Sequence, residues 1–454
     1  MYQLPTEIYQ DVFSHLGGFR QRPSFTGDAS HLIQDLPRVP ILLGSVCKQW
    51  RDLVLQTPEL WSFICAHEYQ SSDEYFSIYL ERSREHALDV WITQDGVTNQ
   101  EEETSDFFKW LHLLQQGSHR WRRIRVDFVA EQRLDRSEFG ALSKPLPLLE
   151  ELILIPGHLR DNLISREADE NDHRYLMHCP RLFTYVNHTA GIVPSTSLPT
   201  LQYLSLSIRG LADEVPLWAT LAMTPALTEL SIYFSRWRND NTTESPPEPI
   251  SLPVLRKLGI YGKPRDRDWD EYLRVPALHT LGLSIEPLDS NSRLCRDFRR
   301  QVRHLIITTM EGALSNGYFY RGDALALNHL ENVETLEILD IPRNMFRGDP
   351  EEFFLSFLGR NRLARVIDSI PHWASTVTSL KIRNSELKYA SCGSLAEFIS
   401  SREKAAAELG GPPLNFQFVD TKVWKSAADN NQPAIISAMK HFQDSIHDSD
   451  RDEQ

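Results

Sequence analysis

Four residues in the first half of the chain could ligate a metal ion: His173, His178, Cys179 and His188. Structural zinc sites combine cysteine and histidine ligands at short, repeated separations, such as C-x2-4-C with H-x3-5-H. The successive separations here are five, one and nine residues, which match no such pattern. The sequence therefore predicts no metal site.

The sequence also lacks the common short motifs of catalysis and phosphate binding. It contains no G-x-x-x-x-G-K-[ST] loop, no G-x-G-x-x-G turn and no G-x-S-x-G nucleophile elbow. Asp266, Asp268 and Asp270 alternate with other residue types, which is typical of a charged loop. We therefore expect a protein without catalytic residues and without a cofactor. An enzyme on an α/β fold remains the alternative, and it has no supporting motif.

The charge balance argues against a nucleic-acid partner. The chain has 454 residues and a formal net charge of −14, whereas a broad nucleic-acid surface usually needs a basic face. The run from Arg120 to Arg125 is locally basic, but Trp121 and Ile124 interrupt it. This pattern predicts a solvated rim beside a strand.

The apolar content and the cysteines indicate where such a chain would work. Apolar residues make up 41% of the sequence, yet no uninterrupted apolar stretch is long enough to span a membrane. The five cysteines are scattered and form no C-x-x-C pair, which favours a reducing compartment. We expect a cytoplasmic or nuclear location, or both, and no membrane partner.

Two amphipathic helices are predicted near the start of the chain. Residues 4–16 begin with Leu-Pro, place Glu7 in the first turn and end before Gly17-Gly18, all of which suit a helix. Residues 41–55 repeat apolar side chains about every four positions, and Pro58 stops this second helix. Leu60-Trp61 follows as an apolar plug.

Together these segments resemble the F-box. The pieces are Leu-Pro-x-Glu-Ile-x-x-x-Val-Phe-x-x-Leu from Leu4, Val-Cys-x-x-Trp-Arg-x-Leu from Val46, and Pro-x-Leu-Trp from Pro58. The sequence departs from the family in a long connection, residues 17–35, which reads as a surface insertion. An unrelated small helical domain is the alternative.

The resemblance implies a partner and a set of contact residues. F-box modules pack apolar side chains against a Skp adaptor, which links them to a cullin. Some of the matching residues must instead fill the core of the module, and Trp50 and Trp61 are the best candidates for that role. The matching residues are Leu4, Pro5, Ile8, Phe13, Leu16, Val46, Cys47, Trp50 and Leu53.

The rest of the chain repeats the phrase apolar-x-x-apolar-x-apolar. Between Leu201 and Val302 successive phrases start 26, 28, 23 and 24 residues apart, a period typical of leucine-rich repeats. The alternating end of each phrase predicts a short strand with one buried face. The fold class is therefore α/β, a small all-α module followed by an irregular leucine-rich-repeat-like solenoid. A compact α/β domain with several leucine-rich strands is the alternative.

The alternating positions of these strands would form the face that binds a target protein. Aromatic and basic residues there suit protein recognition. The tentative target-binding residues are Glu229, Tyr233, Lys257, Tyr261, His304, Lys381 and Arg383.

These observations divide the chain into three segments. Residues 1–65 form the F-box module, residues 66–425 the array with an irregular N-terminal cap, and residues 426–454 a short helix and a disordered acidic tail. Phrases within residues 75–92 resemble those that follow the F-box in fungal members of the family. The resemblance implies the substrate-recruiting subunit of a Skp–cullin–F-box ubiquitin ligase. A non-ligase F-box scaffold is the alternative.

Overall fold

The fold was analysed in a computed structural model that divides into two compact units, Met1–Leu227 and Thr228–Gln454. The structure describes residues 12, 38–67, 73–93, 110, 112–128, 142, 144–156, 176, 178–188, 196–208, 211–234, 248–262, 272–284, 298, 300–308, 332–339, 377–383, 385–388, 407, 414–419, 421–425 and 446–448. Most of the predicted first F-box helix and the whole 17–35 insertion lie outside these residues.

The second predicted helix is two helices, α1 (Val39–Val46) and α2 (Lys48–Gln56). The prediction of one continuous helix over residues 41–55 was wrong because Cys47 is extended, with φ −158° and ψ 170°. The Cys47 side chain caps α2 by accepting a hydrogen bond from the Trp50 backbone N–H, at 3.4 Å.

The predicted Leu-Trp plug lies in a 3-10 turn, Pro58–Trp61, in which Leu60 and Trp61 are buried. The indole N–H of Trp61 donates to the Val54 carbonyl oxygen at 2.9 Å, which ties the turn to α2. The next helix is α3 (Asp73–Arg82), and residues 110 and 112–115 are also helical. The described residues from Asp73 to Phe128 therefore run in the order helix, strand, helix, strand.

In the first unit, six described strands form a parallel sheet in chain order. The strands at Leu88–Thr93 and Thr184–Asn187 are buried along their whole length, so both faces of this sheet are covered there. A further helix, α4, spans Leu211–Ala222 and falls in a connecting segment. The strands are β1 (Phe63–His67), β2 (Leu88–Thr93), β3 (Trp121–Phe128), β4 (Glu151–Pro156), β5 (Thr184–Asn187) and β6 (Tyr203–Ile208).

The second unit follows the same order, with seven of its described strands in one parallel sheet. These are β7 (Glu229–Phe234), β9 (Lys257–Gly262), β11 (Thr280–Ser284), β12 (His304–Thr308), β13 (Thr335–Leu339), β14 (Ser379–Arg383) and β16 (Asn415–Val419). Smaller parallel pairings join β8 (Ile250–Ser251) to β10 (Leu273–Arg274), and β15 (Glu386–Lys388) to β17 (Lys422–Lys425) and β18 (Ile446–Asp448).

The strand register aligns equivalent positions of successive phrases. Leu258 pairs with Leu281, Leu281 with Leu305, and the same column continues through Leu336 and Leu380. All five are fully buried, and each contributes about 1.5–3 kcal/mol by leaving water. The strands predicted from the phrases are therefore confirmed in the described residues, and the protein is α/β with extensive parallel sheet.

Described strands lie at the predicted end of the F-box module and within the predicted disordered tail. β1 crosses residue 65, where the predicted module ends, and it pairs with β2. His447 and Asp448 lie in β18, so the predicted disordered tail was wrong at these two residues. The predicted helix over residues 434–443 lies outside the described residues. The described helices include none that is long and apolar enough to cross a membrane.

Candidate functional site

The α1 helix presents apolar side chains to solvent. Ile41 is 54% exposed, Leu42 61% and Val46 60%, while Pro40 and Leu43 are buried on the opposite side. Singly exposed apolar residues are common, but three within one eight-residue helix form an apolar surface of the kind that partners cover. We call Ile41, Leu42 and Val46 the α1 surface.

Contacts with the following elements hold the α1 surface in place. Arg51 in α2 donates from Nε to the Gly44 carbonyl oxygen at 3.0 Å, which fixes the two helices across the Cys47 break. Trp61 packs edge-on against Tyr79, with ring centroids 5.1 Å apart. The guanidinium of Arg82 lies over the Trp61 ring, 4.4 Å from its centroid. The turn after α2 is thereby joined to α3.

The predicted adaptor-binding residues divide into three groups. Val46 and Cys47 are exposed and Trp50 is half-buried. Leu53 is only 8% exposed, so its assignment to a partner surface was wrong: it fills the core beneath α2. Ile41 and Leu42 belong to the exposed surface but were absent from the predicted set. Leu4, Pro5, Ile8, Phe13 and Leu16 lie outside the described residues.

The second candidate site is one face of the sheet in the second unit. Tyr233, Lys257, Glu229, His304 and Lys381 are half-buried there and Arg383 is exposed, as expected for a face that can be reached. The placement of Tyr261 as an exposed contact was wrong, because it is 7% exposed. Its ring stacks on Tyr233, with centroids 4.7 Å apart.

Tyr261 is buried because small residues leave room for its ring. A β-carbon added to Gly259 would lie 2.7 Å from the Tyr261 ring, and one added to Gly282 would lie 2.6 Å from the hydroxyl. The ring therefore lies flat on the strand face, above two glycines at equivalent positions of neighbouring strands. Tyr233 is the half-buried member of this aromatic pair and the one that solvent reaches.

Ion pairs cross the same face between neighbouring strands. Lys257 Nζ lies 3.3 Å from a carboxylate oxygen of Glu229. Glu337 contacts both His304 and Arg383, although it was not among the predicted residues. Its partners lie 33 and 46 residues away in the sequence, so only the strand register could have revealed the cluster.

Most of the basic run lies within strand β3 rather than beside it, and its arginines are buried or half-buried instead of forming a solvated rim. Arg120 is buried just before β3 and donates to the Ser83 hydroxyl at 3.1 Å. Arg122 donates two hydrogen bonds to Asp89, at 2.9 and 2.6 Å. Arg125 donates to Asp127 and lies over the Trp91 ring. These arginines are engaged within the chain.

The possible metal ligands of the sequence serve other contacts. Burial raises the pKa of the Cys179 thiol to about 11, so it remains protonated at neutral pH. Nε2 of His188 lies 2.9 Å from the Ser205 hydroxyl, and burial lowers the pKa of this imidazole to about 4. Among the residues that the structure describes, no three His, Cys, Asp or Glu side chains are grouped to hold a metal ion. His173 and Asp266, Asp268 and Asp270 lie outside those residues.

Comparison with known proteins adds no relative. No protein-family model matches the chain, and no curated protein is significantly similar to it.

Proposed function

We propose that this protein is the substrate-recruiting subunit of a Skp–cullin–F-box ubiquitin ligase. The observation that carries the proposal is the α1 surface, which exposes apolar side chains within the segment that resembles an F-box. Exposing them to water is unfavourable, and covering them with an adaptor would remove that cost. The proposed contacts are Ile41, Leu42 and Val46, together with Cys47 and Trp50.

The order of the strands supports a repeat array behind this module. Within each unit the described strands of the main sheet pair in chain order and run parallel, and their phrases recur at a repeat-like period. A solenoid built in this way offers an extended face to another protein. We propose that the face around Tyr233, Lys257 and Arg383 binds the target.

The protein would perform no covalent chemistry itself. Holding a target beside a charged ubiquitin-conjugating enzyme raises the effective concentration of the acceptor lysine. This role needs two separate surfaces, one for the adaptor and one for the target, and no catalytic group. The protein would perform this role in the cytoplasm, the nucleus or both.

The decisive experiment is capture of a purified Skp adaptor by the full-length protein and by point variants. Val46→Asp puts a charge in the α1 surface, and we expect it to reduce adaptor capture at least tenfold because a carboxylate would be desolvated. Val254→Asp is the matched control, since Val254 is 42% exposed but lies in the second unit. An intact protein that never captures the adaptor would refute the proposal.

Point variants are preferable to deletion of residues 1–65. That deletion would remove the buried Leu60 and Trp61 and most of β1, which pairs with β2. Loss of adaptor capture by this deletion could then result from damage to the sheet as well as from loss of the α1 surface.

Adding a purified cullin to the captured complex separates ligase assembly from the alternative of a non-ligase scaffold. Recruitment of the cullin supports the ligase. Adaptor binding without cullin recruitment would favour the scaffold.

A further inference from the structure

Glu337 lies at the centre of a charged cluster on the sheet face of the second unit. Its carboxylate lies in β13, with Nε2 of His304 in β12 3.1 Å from Oε2 and Nη1 of Arg383 in β14 3.0 Å from Oε1. The Glu337 side chain is only 8% exposed. The contact with His304 and that with Arg383 lower the pKa of Glu337 to about 2 against the opposing effect of burial. It is therefore a carboxylate at neutral pH, with both oxygens engaged.

Lys381 and Arg383 are two cations beside this single carboxylate, and of the two only Arg383 contacts it. Lys381 pairs with Glu337 in the strand register, and Arg383 lies two residues further along the same face of β14. Among the described residues Lys381 forms no ion pair, and Arg383 uses only Nη1 towards Glu337. A guanidinium has five N–H donors, so most of those on Arg383 are left for another acceptor.

The other groups around Lys381 and Arg383 do not neutralise the positive charge of these two side chains. On the far side of β14, Lys381 faces Gln417 of β16 and Arg383 faces Val419. His304 lies across Glu337 and carries no negative charge. Lys257, on the same sheet, has an acidic partner of its own in Glu229.

The geometry points to an anion-binding site, in which we propose that Lys381 and Arg383 bind a carboxylate side chain of an acidic segment of the target protein. This rests on the proposed function and names the chemistry of its target. Glu337 is a positioning residue that holds one edge of the Arg383 guanidinium and leaves the rest of its planar fork for a carboxylate. Arg383 is 46% exposed and Gln417 is exposed, so the site is an open strand surface. Such a surface suits a side chain presented by a protein segment better than an enclosed small molecule.

The test uses the full-length protein and a fluorescent peptide of repeating Glu-Gly-Ser, with a Gln-Gly-Ser peptide for comparison. Fluorescence anisotropy at low ionic strength should show tighter binding of the Glu peptide, weakening as salt screens the charges. The double variant Lys381→Gln, Arg383→Gln should weaken Glu-peptide binding by roughly three- to tenfold and remove the preference for Glu. Lys257→Gln, which removes a cation already paired with Glu229, should retain that preference.

The variant Glu337→Gln tests whether Glu337 acts by orienting Arg383 or only through its negative charge. It makes the cluster more positive, so a purely electrostatic site would bind the Glu peptide more tightly. If Glu337 orients Arg383, affinity should instead fall, and tighter binding would overturn that role. Equal binding of the two peptides, or an unaffected double variant, would overturn the site itself. Displacement of the peptide by sodium glutamate beyond the effect of matched sodium chloride would identify a small-anion site and overturn the assignment to a protein segment.

The adaptor experiment is independent of this one. The Lys381, Arg383 double variant should capture the adaptor like the unmodified protein, and Val46→Asp should bind the Glu peptide normally. Peptide binding without adaptor capture would leave the anion site standing and remove the ligase proposal. Adaptor capture without peptide binding would support the ligase proposal and overturn the anion site.

Discussion

The Tyr261 hydroxyl lies above Gly282, where an added β-carbon would come within 2.6 Å of it. We expect Gly282→Ala to push the ring off the strand face and to lower the free energy of unfolding by about 1–3 kcal/mol. Urea unfolding measures this loss. The same substitution in a Tyr261→Ala background should cost much less, because the clash is absent. Equal costs in both backgrounds would mean that the ring does not fill this space.

Gly262 should be still less tolerant of a side chain. It ends β9 with φ +81°, and an added β-carbon would overlap the Phe234 carbonyl oxygen, which is backbone and cannot easily move. We expect Gly262→Ala to destabilise the protein by more than about 1 kcal/mol in urea unfolding. Gly44→Ala is the control. Nothing lies within 4 Å of the new methyl group inside α1, and alanine favours the helix by about 0.5–1 kcal/mol.

Asp89 and Arg122 form a partly buried ion pair whose disruption should be costly. Asp89 is fully buried and accepts two hydrogen bonds from the Arg122 guanidinium. Asp89→Ala removes the carboxylate that accepts both hydrogen bonds, and because Arg122 keeps some access to water we expect a loss of about 1–3 kcal/mol in thermal or urea unfolding. Replacing both residues, Asp89→Leu with Arg122→Met, should recover much of that loss. A single variant with unchanged stability would contradict this account.

His188 should make stability depend on pH above the acid range of the carboxylates. Burial holds the pKa of the folded-state imidazole at about 4, below its ordinary value of 6.5. The unfolded chain therefore binds a proton first as pH falls. The stability contributed by neutral His188 is complete above about pH 6.5 and is lost progressively towards pH 4. Urea midpoints measured across this range should fall less in His188→Gln than in the unmodified protein, and parallel curves would refute the assignment.

Cys47 makes a weak cap that can be improved. Its sulfur accepts from the Trp50 N–H at 3.4 Å, whereas a serine oxygen is a preferred N-cap acceptor. We expect Cys47→Ser to stabilise the protein by up to about 1 kcal/mol and Cys47→Val to destabilise it. Urea unfolding of the two variants checks the sign. Stabilisation by valine would show that Cys47 acts through packing.

The strands could be predicted because the phrase encodes them locally. In Leu255-x-x-Leu258-x-Ile260 the last two apolar residues point to the same face, and burial of that face determines the pairing. β16 was missed because its segment, Leu414-Asn-Phe-Gln-Phe418, alternates without the preceding x-x spacing. The alternation alone was a usable signal for a strand.

The site residues were harder to predict because they depend on neighbouring strands. Tyr261 occupies a position that alternation assigns to solvent, yet Gly259 and Gly282 leave space for its ring. Leu53 continues a helical period, but the extended Cys47 resets that period. Glu337 looks like an ordinary solvated strand residue until the register brings it beside Arg383. In each case the information lies in residues that are distant in sequence or in one backbone angle.

The pairing of strands in chain order has a consequence for synthesis on the ribosome. Within each unit, a strand of the main sheet that leaves the ribosome finds its partner already made, so the sheet can grow by one strand at a time. The separation from Leu339 at the end of β13 to Ser379 at the start of β14 is 40 residues, against 18 from Gly262 to Thr280. The longer closure costs only about 0.7 kcal/mol more in chain entropy. Segments between strands can therefore lengthen during evolution without preventing the next strand from adding to the sheet.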